Sequence, residues 1–376
     1  MTKFFCAEFS RQADEDIIGS GTNQSTYVLV ECPSPWAPEA FDSISVPQNL
    51  RSLVEEVKQK QLSVRFLLIT SAESKLKNST KVLIFDKKKE GLLKGYQKKE
   101  FNVETIEHVA DVVRQYLDGE TPELPSKIEL ENDEKSATRD ILVCTHGSHD
   151  KCCARYGNPF YKEALATVGE LSLSHVRIWK ASHFGGHRFA PTMIDFPEGR
   201  YYGILNRESF KSILTRTGDI SCLNRVYRGW GILPIQVQAM ERELILQYGW
   251  DWFNYNVAGR ILEQNSDNDA ITAEITFEKP DSSTYTYKAD LIKDIHKTLR
   301  LKGSCNTLRE SEFVKYVIQN LTLCFYSEPK ENSSFSSGNR AGKKHKDVGN
   351  AQVVKRSSLL QKSQSFVESQ GTKPSH

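Results

Sequence analysis

The chain has 376 residues, 38% hydrophobic and 26% charged, with 50 Lys/Arg against 48 Asp/Glu for a formal net charge of +2. That length can bury one large or two modest cores, and so even a charge balance gives no reason to expect a nucleic-acid partner. No apolar run reaches the roughly eighteen residues that a bilayer-spanning helix needs. The opening MTKFFCAEFSRQADEDIIGS is too acidic for a transit peptide and lacks the basic start and apolar stretch of a secretory signal. No membrane association and a cytoplasmic location are therefore expected.

Residues 1–125 read as a first α/β unit. TYVLVECP, from Thr26, has the apolar density of a buried strand, and Pro33 and Pro35 force the following PSPW into a loop. Helical spacing runs from Leu50 to Lys58, and VRFLLITS at Val64 and KVLIFD at Lys81 read as two more strands. TIEHVADVVRQYL places Ile106, Val109, Val112, Val113 and Tyr116 on one helical face. Strands alternating with helices imply a sheet covered by helices. The acid-rich GETPELPSKIELENDEKSATR then reads as an exposed linker or edge segment.

Residues 126–220 form a second unit: a strand near 140–144, a loop, a helix near 158–168, a strand near 175–181, a second loop, two strands around Met193 and Tyr202, and the helix ESFKSILTRT. Residues 221–326 extend it with an aromatic, Arg-rich turn, an amphipathic helix in VQAMERELILQYG, a β-hairpin in ITAEITFEKPDSSTYTYKADLI and a last short helix or strand. Tyr227, Trp230 and Trp250 are read as core packing rather than a docking surface. Residues 327–376 carry nine Lys/Arg against four Asp/Glu, which makes this Ser-, Asn- and Gly-rich stretch +5, and such a composition reads as a disordered basic tail.

The chemistry concentrates at two strand ends. ILVCTHGSHDKCCARYG breaks at Cys144 into a loop with Cys152 and Cys153, and VRIWKASHFGGHRFAPT breaks into a loop with His183 and His187 on either side of Gly185 and Gly186. Eight residues separate Cys144 from Cys153, too many for a zinc knuckle but few enough for one loop to wrap a larger centre. His183 and His187 are i and i+4, yet the Gly-Gly between them favours a tight turn over a helix. The remaining cysteines, Cys6, Cys32, Cys222, Cys305 and Cys324, are scattered and read as small buried hydrophobes. Their irregular spacing agrees with a reducing compartment.

These two segments resemble the sucrase/ferredoxin-like family, whose core is a thioredoxin-like ferredoxin domain. The resemblance is specific over roughly residues 141–206 and weaker over GTNQSTYVLVECPSPW and YRGWGILPIQVQAMERE. It implies a [2Fe-2S] cluster of the bis-histidinyl variety, with Cys144 and Cys153 on one iron and His183 and His187 on the other. Cys152 is then the less favoured neighbour of Cys153. It implies an electron carrier or redox sensor that exchanges electrons with a redox-protein donor or acceptor. The strand, helix, strand, hairpin, helix order of the second unit agrees with a thioredoxin-like sheet. Exchanging two thiolates for neutral imidazoles makes such a centre less negative, which raises its potential and links reduction to proton uptake at the histidines.

Around the loops, Asp150 is a candidate for capping the loop or for accepting a ligand-histidine N–H. Arg188 is a candidate partner of Asp150 or counter-charge to the cluster, and His146 and His149 read as solvent-exposed bystanders. Two alternatives stay open: zinc on the same two cysteines and two histidines, and a metal-free or zinc-stabilised interaction scaffold whose basic tail recruits a partner. A thiol oxidoreductase is disfavoured because no C-x-x-C occurs. A sucrase is disfavoured because Asp195, Glu198 and Glu208 show no pattern that nominates a carboxylate pair. Nucleotide binding through G-x-G-x-x-G or a P-loop is unsupported.

Overall fold

In the computed structural model, which describes residues 4–71, 79–88, 90–120 and 138–329, the apolar runs become the middle strands of one large sheet. The first part holds α1 (Cys6–Gln12), β1 (Thr26–Glu31), α2 (Gln48–Gln59), β2 (Val64–Thr70), β3 (Thr80–Asp86), β4 (Gln97–Val103) and α3 (Val109–Leu117). The centre follows with β5 (Arg139–Cys144), α4 (Lys151–Glu170), β6 (Val176–Ala181), β7 (Met193–Phe196), β8 (Arg200–Tyr202), α5 (Arg207–Thr215), α6 (Leu223–Val226) and β9 (Tyr227–Trp230). The nine strands lie in the order β4-β3-β1-β2-β6-β5-β7-β8-β9. The mixed α/β class expected from the alternating pattern is the observed one.

β1 is buried at every position, as its unbroken apolar run requires of a strand covered on both faces. β5 and β6 pair in parallel across α4, and β7 and β8 return antiparallel. This is the βαβ, hairpin and helix order expected for the second unit. The expected boundaries at 125/126 and 220/221 do not coincide with edges of this sheet. β2 pairs with β6 through Ile69 with Ala181 and Thr70 with Lys180, and β8 pairs with β9. Most of the acidic linker, residues 121–137, lies outside the described residues, as does the tail from residue 330 on.

Beyond β9 come α7 (Val237–Tyr248), β10 (Asn256–Gln264), β11 (Ala270–Glu278), β12 (Thr284–Lys293), β13 (Leu299–Leu301), β14 (Ser311–Phe313) and β15 (Tyr316–Ser327). β10, β11, β12 and β15 make an antiparallel sheet, in which β11 alternates strictly between buried and half-exposed residues. The buried side, including Ile275 and Phe277, joins the same core as Trp230, Leu244 and Trp252. Tyr227 and Trp230 are core residues, as expected.

β4 carried no apolar pattern, because its buried residues include a charge. Glu100 lies among Lys81, Lys98 and Arg177, with Arg177 also on Asp140 at 2.7 Å. Asp140 is fully buried, so these ions are tolerated only because they satisfy one another.

α4 begins earlier than the expected residue 158. The Asp150 side chain accepts the Cys152 N–H at 2.9 Å and caps it, and Gly157 and Pro159 lie inside the helix. Cys152 and Cys153 therefore sit in a helical first turn, not in a loop. At Gly157 a Cβ would overlap the Cys144 carbonyl oxygen, whereas Gly169 near the other end of α4 has open space. Gly157→Ala is expected to destabilise the protein by about 1–3 kcal/mol through overpacking. Gly169→Ala should be neutral or stabilising by up to about 1 kcal/mol. Urea midpoints of the two variants check the contrast.

Candidate metal centre

Cys144 ends β5 and Cys153 lies one turn into α4, both nearly without exposure. Neighbouring helical residues point about 100° apart, so the vicinal cysteines face different ways. Cys153 Sγ lies 3.7 Å from His183 Nδ1, and Cys144 Sγ lies 3.9 Å from the same nitrogen. Cys152 Sγ instead lies 3.3 Å from Cys305 Sγ and 3.5 Å from Cys6 Sγ. Donor atoms of Cys144, Cys153 and His183 all fall within 4.8 Å of one another.

The second loop is the expected tight turn. Gly185 and Gly186 have φ of 98° and 80°, and a short 3-10 turn starts at His187. At Gly186 a Cβ would come within 2.5 Å of the Arg228 guanidinium, so glycine is needed there for space as well as for conformation. The rings of His183 and His187 stack with centroids 4.9 Å apart. His187 Nε2 is engaged by the Gly303 carbonyl, which fixes it as the N–H and leaves Nδ1 as the lone-pair nitrogen. That Nδ1 is buried and has no hydrogen-bond partner among the described residues. A buried, unpartnered acceptor costs free energy unless something fills it.

Electrostatics prepare the same atoms. Burial, together with the neighbouring His187 and His149, pushes the His183 pKa down to about 2, so its ring is neutral. Burial also lowers His187, against the opposing pull of Asp150. Burial opposes ionisation of Cys144, but the Cys153 thiol, the His146 and Phe184 N–H groups and Arg228 together hold it below the usual thiol value. Cys153 is correspondingly raised, first by its hydrogen bond to Cys144 and then by burial. Two buried sulfurs around the neutral His183 imidazole form a donor set suited to a soft or borderline metal, while His187 is grouped with His183 and His149 and not with the sulfurs.

Asp150 takes the capping role expected of it, at the start of α4, and the other neighbours differ from expectation. Asp150 also accepts from Ser304 Oγ at 3.0 Å and Cys305 N at 2.9 Å; His187 Nε2 is 4.0 Å away. Arg188 pairs with Glu15 rather than with Asp150. His146 is a buried structural residue, not an exposed bystander: Nε2 donates to Ala37 O and Nδ1 accepts the His183 N–H. His149 stacks on His183 at 4.1 Å and shares a second possible donor group with His183 and His187. Cys32 is buried as expected, but Cys324 is exposed, and Cys6 and Cys305 gather around Cys152.

Sequence reasoning missed Arg228. It is 2% exposed; its guanidinium donates to Ser20 and the Gly185 carbonyl, lies by the Phe189 and Tyr201 rings, and forms no ion pair among the described residues. A buried cation under the histidine loop is costly on its own, and burial lowers its pKa to about 10. On the other side, His149 and His183 border a cleft of about 760 Å³ that also touches Arg65, Phe66 and Ser182. The histidine edge of the centre is thus the open one and the cysteine edge the closed one. Among the described residues no helix is long and apolar enough to cross a membrane.

Residues 17–229 match the model of the family described as sucrase/ferredoxin-like. A curated relative, Altered inheritance of mitochondria protein 32 from Meyerozyma guilliermondii, is 30% identical over 107 residues, which is 27% of this chain and 38% of that protein. The chain therefore spans well under half the length of that relative. No solved structure matches.

His146, His183 and His187 all have folded-state pKa values below the ordinary 6.5, with burial as the leading cause. Below about pH 6.5 the unfolded chain binds protons at these rings that the folded chain refuses, so stability falls as pH falls. The metal-free protein should show a decreasing Tm from pH 7 to pH 5, with a shallower slope in His183→Gln. Calorimetry across that range is the check.

Proposed function

The chain belongs to the sucrase/ferredoxin-like family, and from that premise we propose that Cys144, Cys153, His183 and His187 hold one [2Fe-2S] cluster, in an electron carrier or redox sensor rather than a hydrolase. The observation that carries the reading is that His183 links two donor groups, the buried sulfurs of Cys144 and Cys153 on one hand and His187, whose buried Nδ1 has no partner among the described residues, on the other. When bound, such a centre takes up and releases one electron, passing between a neutral and a singly negative state, because two thiolates balance two ferric ions bridged by two sulfides.

The chain's own residues supply the environment. Arg228 is a fixed positive charge below the histidine loop, placed to favour added negative charge there. The Cys144 sulfur is held as an acceptor by backbone N–H groups. His187 keeps its Nε2 proton against Gly303 O. His183 borders the cleft, so we assign to it the proton exchanged on reduction, and to the cleft the approach of a redox-protein donor or acceptor. Against hydrolysis, Asp195 is held by Arg139 at 2.7 and 2.5 Å, and Glu198 by Arg216 and Arg200. No cysteine pairs in a disulfide, which agrees with a reducing, cytoplasmic setting.

A second reading, zinc in place of the cluster, is favoured by one observation, which concerns Cys144, Cys153 and His183 and not His187. The 3.7 and 3.9 Å sulfur-to-nitrogen separations are near the edge of about 3.5 Å expected around a single tetrahedral Zn²⁺. Metal analysis separates the two. Protein purified anaerobically should be red-brown, with about two iron and two sulfide per chain; colourless protein holding only zinc would replace the first reading with the second.

His183→Cys and His187→Cys should both retain a cluster and lower its potential by about 100 mV or more, the direction set by exchanging imidazole for thiolate. Loss of pH dependence is expected in His183→Cys alone. Arg228→Met should lower the potential at unchanged iron content. Protein-film voltammetry over pH 6 to 9 measures all three.

A further inference from the structure

Three cysteines outside the centre described above converge on the first turn of α4 from widely separated parts of the chain. Cys6 opens α1, Cys152 lies in α4, and Cys305 lies between β13 and β14. Their sulfurs form a nearly equilateral triangle: 3.5 Å from Cys6 to Cys152, 3.3 Å from Cys152 to Cys305 and 3.6 Å from Cys305 to Cys6. Asp150 Oδ1 stands 4.0 Å from Cys6 Sγ, and all four donor atoms lie within 4.8 Å of one another.

Packing alone does not explain this arrangement. Thiols acting as small hydrophobes gain as much from any apolar neighbour and have no need to meet on all three edges beside a carboxylate. A disulfide would use two sulfurs and strand the third. A tetrahedral Zn²⁺ with Zn–S near 2.3 Å would set sulfur–sulfur edges of about 3.8 Å, within a few tenths of an ångström of those observed. The fourth donor is already oriented. Asp150 Oδ1 accepts the Cys152 N–H, while Oδ2 accepts from Ser304 Oγ and the Cys305 N–H, the kind of outer hydrogen bonding that fixes a ligating carboxylate.

We propose that Cys6, Cys152, Cys305 and Asp150 form a second, structural zinc site, distinct from the Cys144, Cys153, His183 and His187 centre. Three thiolates mark the ion as soft or borderline, and the carboxylate selects Zn²⁺ over copper(I). Binding releases the three thiol protons to solvent. The ion ties the N-terminal segment and the 303–305 segment to the start of α4. Because Gly303 O in that segment engages His187 Nε2, the clip also holds the orientation of a histidine of the first centre.

The test uses the full chain, purified without chelators and analysed for zinc and iron by plasma emission. Cys6→Ser, which removes a donor from this site only, should lose one zinc per chain and keep its iron. Cys144→Ser should lose the metal of the first centre and keep this zinc, so failure of the cluster reading is read separately, from iron and sulfide. Should Cys6→Ser fail to fold, zinc-edge X-ray absorption on the unmodified protein should show three sulfurs and one oxygen around zinc in iron-loaded protein. Equal zinc in Cys6→Ser and the unmodified chain, no zinc in the latter, or a disulfide among these cysteines in non-reducing peptide mapping would overturn the assignment.

Discussion

The candidate centre depends on how closely α4 approaches the end of β5. The contact is made possible by a missing side chain: Gly157 faces the Cys144 carbonyl so tightly that even a methyl group would collide with it. With the helix at that distance, a cysteine on the last residue of the strand and another on the first turn of the helix face the same point. The same turn presents the positive end of the helix dipole, which suits a position where sulfur must carry negative charge. Asp150 takes up the Cys152 N–H of that turn and leaves the Cys153 side free to face the histidines.

Burial acts in opposite senses on the two ligand types. It favours a neutral imidazole, which is what a metal needs, and it opposes a thiolate, which a metal also needs. The centre is consistent with this division. His183 and His187 are left to burial, while Cys144 is given compensating N–H groups and the charge of Arg228. Arg228 itself is destabilised by the same burial; it has hydrogen bonds and the Phe189 and Tyr201 rings but no carboxylate partner among the described residues, so a nearby negative charge would offset part of its cost.

Strands with unbroken apolar runs, such as β1, β3 and β5, were legible in the sequence because burial on both faces leaves an unmistakable mark. β4 was not, since its buried positions include Glu100, whose neutralising partners Lys81 and Arg177 are remote in sequence. The start of α4 was hidden for a different reason: Gly157 and Pro159 signal a break, and the Asp150 cap that outweighs them can be recognised only once the helix is assumed. Cys144, Cys153, His183 and His187 could be picked out because each pair is local in the chain. Arg228 could not, because nothing near it in sequence says that it reaches under Gly186. The same limit hid the grouping of Cys6, Cys152 and Cys305, which share no spacing at all and meet only through the fold.

That grouping changes what the residues beyond β9 are for. The segment between β13 and β14 supplies Gly303 O to His187 and Ser304 and Cys305 to Asp150, so it touches both loops of the candidate centre at once. A histidine whose Nε2 lost its carbonyl could rotate or change tautomer, and either would turn the lone pair away from the position that Nδ1 now holds. The chain closes this freedom with a segment from its C-terminal third rather than with a residue of the histidine loop itself. An element so remote in sequence can be positioned to that accuracy only if it is anchored nearby, and the anchor it has is the Asp150 carboxylate together with three converging sulfurs at the head of the helix that carries Cys153.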